Sequence, residues 1–311
     1  MDSATRVLII VNPAAGSVTP ALVWELVRLC RRRGARVSVR WTDAPGHAVR
    51  IATAAAESNV DSQVVVVAVG GDGTIREVAA GLASAWQDGA PTPMLIVPAG
   101  TANSCYHTLW GTAPWPSTVD SCLARPTVHW LDLARVAGRL VFSGASSGFS
   151  PRAIHEARSL TSHVGPSRYH AALVNLIPRY RPYPGRVLVD GRVVHSGPTL
   201  LANVGGSRYR GGYFELLPHS RPDDGLLDVC VLGGEHPAAE MMQLTRTGAH
   251  VSAPGVVYER GRQVRIERTD GQPLWFEHDG EVLPLGPSGY TVDVVPAAVP
   301  MLAAAAVALT A

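Results

Sequence analysis

Gly70-Gly71-Asp72-Gly73-Thr74 is the stretch of this chain whose residue types and spacing offer the most definite chemistry. Glycine has no Cβ and adopts positive φ readily, so backbone N–H groups in such a run can converge on one point and hold an anion. Residues 64–69 before it are apolar and, Ala68 apart, all valine, as in a central parallel strand covered on both faces. Residues 75–82 after it have helical spacing, and a helix N-terminus adds partial positive charge at the same point. Strand, glycine turn and helix in that order bind phosphate in α/β folds; with no ligand the same run is only a tight turn.

The elements that must position this turn repeat its plan. Residues 6–11 predict a strand, followed by the polar turn 12–17 (NPAAGS) and a helix over 21–33. A second strand over 37–41, the turn 42–46 and a helix over 47–57 come next. A further strand at 94–97 leads into Pro98-Ala99-Gly100-Thr101-Ala102-Asn103. Four parallel strands with three polar turns at one edge form the crevice in which open α/β sheets bind ligands. From Val128 onward the pattern changes to short strands: 140–143, 186–189, 192–195 across Asp190-Gly191, 199–204 and 226–232, a mostly antiparallel β half. The boundary is expected at 115–125, where Pro114, Pro116 and Pro126 cluster, giving an α/β domain over 1–124 and a β-rich domain over 125–289. Residues 297–311 read as an alanine-rich helix packed on the protein, with a membrane-dipping tail as the alternative.

Composition excludes several classes. All 27 basic residues are arginine, which removes a P-loop lysine, a protein-kinase lysine and Schiff-base chemistry. A net charge of +2 is too small for a nucleic-acid binder. Cys30, Cys105, Cys122 and Cys230 lack metal-ligand spacing and fit reduced thiols in a cytoplasmic protein. Any catalytic metal should then be oxygen-liganded, such as Mg²⁺. There is no run of about 18 apolar residues and no signal peptide.

With these turns and Asp279-Gly280-Glu281 in view, the chain resembles the diacylglycerol kinase catalytic family, which includes bacterial lipid kinases and sphingosine and ceramide kinases. The resemblance rests on NPAAG at 12–16, GGDGTIREV at 70–78, PAGTAN at 98–103, GGYFELLP at 211–218, PDDGLLDV at 222–229 and HDGE at 278–281. It implies a nucleotide-binding domain like that of NAD kinases and phosphofructokinases, a β-sandwich, an active site between them, and a final segment, 290–311, that returns to the first domain. It implies an ATP- and Mg²⁺-dependent kinase acting on a lipid or lipid-like alcohol of diacylglycerol or sphingoid type, cytoplasmic or peripheral at the inner membrane face. A homodimer is left open. The expected ATP contacts are Thr42, Gly70, Gly71, Asp72, Gly73, Thr74, Ile75, Arg76, Glu77, Gly100, Thr101 and Asn103, with Asn12 shaping the first turn. Asp72 is expected in the Mg²⁺ and water network, Asp224 at a structural Mg²⁺ site, and Glu281 as general base. Two positions depart from the family: Ser104 stands where an aspartate is usual, and Gly148-Phe149-Ser150-Pro151 replaces GFDA.

The rival readings are a kinase of a soluble specialised-metabolite alcohol, a non-catalytic nucleotide-binding protein, and a hydrolase with a nucleophile at Ser146 in GASSG. Phe149, Ser150 and Pro151 are expected to separate that serine from the next helix, against the hydrolase elbow. Residues 158–183 interleave arginine with tyrosine, as either a solvated face or a peripheral membrane surface.

Overall fold

The computed structural model describes residues 5–59, 64–85, 91–160, 166–235 and 237–304, and in it the valine run becomes the middle of a parallel sheet. The chain divides into two units: the residues up to Leu131 together with those from Ala297 onward, and Asp132–Pro296. The first unit is built from β1 (Arg6–Val11), α1 (Pro20–Arg32), β2 (Arg36–Trp41), α2 (His47–Glu57), β3 (Val64–Gly70), α3 (Asp72–Ala85), β4 (Met94–Pro98), α4 (Ser104–Trp110) and α5 (Trp115–Ala124). Its strands lie in the order β2-β1-β3-β4, all parallel. Every residue of β3 is buried, which explains why the strand is continuously apolar instead of alternating.

Local sequence sets the helix ends. Thr19 Oγ1 accepts the Leu22 N–H at 3.2 Å and Pro20 occupies the first turn of α1, where its missing donor costs nothing. The same rule applies at 115–125. Pro114 is the N-cap residue of α5 and Pro116 sits in its first turn, so these two prolines start a helix, while Pro126 opens the next strand.

The strand β5 (Pro126–Val136) carries the chain into the second unit. That unit then holds β6 (Arg139–Val141), β7 (Ala145–Gly148), α6 (Phe149–Ser159), α7 (Pro166–Leu176), β8 (Tyr183–Val189), β9 (Arg192–Gly205), β10 (Leu227–Gly233), α8 (Ala238–Leu244), β11 (Val256–Gly261), β12 (Gln263–Arg268), β13 (Phe276–His278) and β14 (Glu281–Val282). It is antiparallel along β14-β13-β7-β9-β8-β12, with β10 pairing β9 and β11. Asp190 and Gly191, both at positive φ, make the turn between β8 and β9. One core gathers Val187, Val204, Val229, Val264, Ile266 and Phe276; a second packs Phe149, Leu173, Leu176, Phe214, Leu217 and Met241. The amphipathic helices α6 and α7, which belong to that second core, were only partly legible in a half read as β.

The last strand, β15 (Gly289–Ala304), corrects the helix expected from Ala297. Its first half pairs antiparallel with β12, and Met301 pairs parallel with Met94 of β4. Pro296 and Pro300 bar a regular helix across this segment, and pairing with a buried strand overrides the helix propensity of alanine. Residues 305–311 of the expected tail lie outside the described residues.

Candidate active site

The C-terminal ends of β1, β3 and β4 bring the three polar turns together by backbone hydrogen bonds. Asn12 N–H donates to Val69 O at 3.0 Å, Ser17 N–H to Ala99 O at 3.0 Å, and Ala99 N–H to Gly70 O at 2.8 Å. Between these turns and residues 42–45 lies a cleft of about 490 Å³, lined by Asn12, Gly16, Thr42, Gly71, Gly73, Thr74, Glu77, Gly100 and Thr101 among others. The first turn of α3 opens into it; the Thr74 N–H donates to Gly71 O at 2.9 Å, while the N–H groups of Asp72 and Gly73 have no intrahelical acceptor.

Glycine at 71 and 100 answers to close approach, not to positive φ as the sequence suggested. Gly70, Gly71 and Gly73 are all absent from the positive-φ residues. A Cβ on Gly100 would stand 2.3 Å from Gly71 Cα, so two turns touch backbone to backbone. Gly73 is different, because a Cβ there would meet nothing within 4 Å and would enter open space.

The expected contact residues divide into lining and scaffold. Asn12 Nδ2 donates to Thr74 Oγ1 at 2.9 Å while its Oδ1 accepts the Ala14 N–H at 3.0 Å, which locks the first turn to α3. Glu77 Oε1 accepts the Gly46 N–H at 2.9 Å and ties α3 to the turn carrying Thr42. Asn103, in the left-handed region at φ 52°, bonds Gly100 through both its amide atoms and closes the third turn instead of lining the cleft. Ile75 is fully buried in the core, and neither it nor Arg76 lines the cleft.

Asp72 has an occupation that the sequence did not disclose. Its Oδ2 accepts the Ser104 N–H at 3.1 Å and its Oδ1 the Cys105 N–H at 3.0 Å, so it caps α4 from another helix. Each oxygen keeps a lone pair beyond those bonds. The cleft lining itself holds Asp43 and Glu77 and no arginine. A nucleotide's phosphates would therefore need a cation of their own, and that donor set of carboxylate and carbonyl oxygens suits Mg²⁺.

Asp224, expected with the carbonyls of Arg221 and Leu226 at a structural Mg²⁺ site, is engaged within the protein. Its Oδ2 is ion-paired with Arg260 and its Oδ1 accepts the Leu226 N–H at 3.1 Å. Among the described residues no group of three His, Cys, Asp or Glu side chains is placed to hold a metal ion.

Glu281 opens β14 after a turn in which Asp279 and Gly280 both take positive φ, at 47° and 81°. The turn is held from beneath. Asp279 accepts the N–H groups of Phe142 and Ser143 at 2.9 and 2.7 Å, and the Ser143 hydroxyl at 2.6 Å. Glu277, 1% exposed, accepts Arg210 Nη2 and Ser146 Oγ at 2.5 Å each and the Gly280 N–H at 2.8 Å. Arg210 Nη1 also donates to Ser143 Oγ at 2.7 Å and Gly144 O at 2.9 Å. Glu281 lies half exposed, 3.5 Å from Arg139. Arg210 and Glu277 are thus the buried pair behind this turn that sequence reasoning missed; a buried carboxylate demands a partner, but sequence alone could not choose among 27 arginines. The same contacts settle GASSG: α6 does begin at Phe149, contrary to expectation, yet Ser146 lies within β7 and serves Glu277.

Comparison with known proteins gives a family match for each part of the chain. Residues 6–136 match the diacylglycerol kinase catalytic domain and residues 143–303 the YegS C-terminal NAD kinase beta sandwich-like domain. A Xanthomonas oryzae pv. oryzae protein named "Probable lipid kinase YegS-like" is 32% identical over 266 residues, covering 83% of this chain and 84% of its own. A Bacillus subtilis diacylglycerol kinase is 26% identical over 288 residues, covering 90% and 91%. A solved chain from Bacillus anthracis str. Sterne, described as a diacylglycerol kinase, shares the fold with a TM-score of 0.70 at 19% identity, over 97% of this chain and 98% of that one.

Proposed function

The chain belongs to the diacylglycerol kinase catalytic family, and from that premise we propose that it transfers the γ-phosphate of ATP to a hydroxyl of a lipid or lipid-like alcohol of diacylglycerol or sphingoid type. The observation that carries the reading is the cleft at the start of α3, where Gly73 leaves open space against a helix N-terminus and the lining lacks any arginine. Phosphoryl transfer needs an acceptor hydroxyl in line, neutralised phosphate charge and a group to take one proton. The α3 N-terminus and the turns around it bind and orient the phosphates. Mg²⁺, when bound with ATP, supplies the positive charge that the lining lacks. Asp72 would hold it with the lone pairs left over from capping α4.

Glu281 takes the proton from the acceptor hydroxyl. Arg139 orients its carboxylate, and the Arg210–Glu277–Asp279 framework fixes the turn that presents it. A lipid acceptor also places the protein at a membrane surface, peripherally, and no helix among the described residues is long and apolar enough to cross one. Purified protein with labelled ATP, screened against diacylglycerol, sphingosine, ceramide, phosphatidylinositol derivatives and soluble alcohols, tests the reading. Transfer to a lipid hydroxyl is expected; ATP binding with no transfer to any acceptor would sink it.

A further inference from the structure

The arginine and tyrosine run at 158–183 ends at a cavity of about 520 Å³ that lies wholly within Asp132–Pro296 and shares no residue with the nucleotide cleft. Four arginines line it: Arg152 from α6, Arg179 and Arg181 from the segment after α7, and Arg268 from the end of β12. Two of these charges are already matched. Arg179 pairs with Glu156 at 2.5 Å, and Arg268 pairs with Asp270 through two hydrogen bonds at 2.8 and 2.6 Å. Arg152 and Arg181 have no carboxylate partner among the described residues; Arg181 bonds only the Tyr180 carbonyl, and Arg152 Nε is buried without a hydrogen-bond partner.

Arg152 is nevertheless held in place, its guanidinium 4.8 Å from the Trp275 ring centroid. A fixed, partly buried guanidinium with an idle donor is a costly arrangement unless an anion completes it, and the exposed Arg181 adds a second charge without a carboxylate partner to the same lining. Apart from Gln272 the rest of the wall is apolar or aromatic, and Leu285 at the cavity is 51% exposed.

We propose that this cavity is a second anion site, built for a phosphate group carried by an amphiphile, the headgroup of an anionic phospholipid. Arg152 and Arg181 take the phosphate oxygens, for which the guanidinium fork is shaped. Trp275 and Leu285 meet the less polar part of the molecule. The volume suits a headgroup, and the site goes beyond the kinase reading without resting on it.

The test uses the whole protein without ATP, on vesicles of phosphatidylcholine with and without phosphatidylglycerol. Binding to the anionic vesicles is expected, weakened about tenfold or more by Arg152→Gln with Arg181→Gln, the range for losing charged hydrogen bonds. The control, Arg135→Gln with Arg158→Gln, removes two charges from exposed residues outside the cavity and should change binding by less than about twofold. Calorimetry with sn-glycerol 3-phosphate identifies the source: binding that needs Arg152 and Arg181 keeps the anion site but makes a soluble phosphate ester its ligand. Equal weakening by both double variants, or no binding of either probe, overturns the site. Should the cavity pair fail to fold, Arg181→Gln alone carries the comparison. ATP affinity and transfer, measured separately, keep failure of this site distinct from failure of the kinase reading.

Discussion

At the scale of single residues, the proposed roles divide the carboxylates into one that reacts and one that supports. If Glu281 is the proton acceptor, Glu281→Gln removes it while keeping shape, so kcat should fall about 10²- to 10⁴-fold with ATP affinity near wild type. Near-normal kcat would move that role to Asp72. Asp72→Asn should weaken Mg²⁺-dependent ATP binding and, because an amide offers one acceptor oxygen to two N–H groups, should also lower the stability of α4 by about 1 kcal/mol. Calorimetry and thermal unfolding read the two effects separately; an unchanged melting temperature would show that the capping bonds carry no weight. The capping bonds of Asp72 were invisible in the sequence, because they come from the backbone N–H groups of Ser104 and Cys105. Nothing in a residue type reports where its main chain points.

Among elements, the turns differ in what they tolerate. Gly73→Val should abolish ATP binding while the fold survives, since the added carbons extend into the cleft and not into protein. Gly100→Ala should do the reverse, with a Cβ driven against Gly71 Cα and a melting temperature several degrees lower before any nucleotide is added. ATP titration and unfolding on the same two variants check both; equal loss of stability would refute the division. Strands and turns were largely legible because continuous apolar runs such as 64–69 and glycine pairs such as Asp190-Gly191 carry local signals. The helix α5 and the strand β15 were not, since proline near an element end and a stretch rich in alanine mean different things in different partners' company. The register that places Met301 beside Met94 is a tertiary fact.

For the whole molecule, stability should depend on buried histidine. Burial holds His250 below the ordinary imidazole value of 6.5, and its Nε2 lies 3.2 Å from the Leu216 carbonyl. The neutral form is therefore favoured when folded, the unfolded chain binds the proton more readily, and stability falls as pH drops below about 6.5. His250→Gln should shrink the difference in melting temperature between neutral and mildly acidic solution; an unchanged difference would assign the acid sensitivity elsewhere, with His195, also lowered by burial, as the next candidate.

The strand order has a consequence for how the protein comes into being. β4 is flanked by β3 on one side and by the last stretch of β15 on the other, while its residues 94–97 are fully buried. A ribosome delivers β4 about 200 residues ahead of the stretch of β15 that pairs with it. Throughout that interval β4 is an apolar edge awaiting its neighbour, the kind of edge that recruits foreign strands. The first unit is thus completed only after Asp132–Pro296 has been made, and a nascent chain stalled before Met301 should need chaperone cover that the released protein does not.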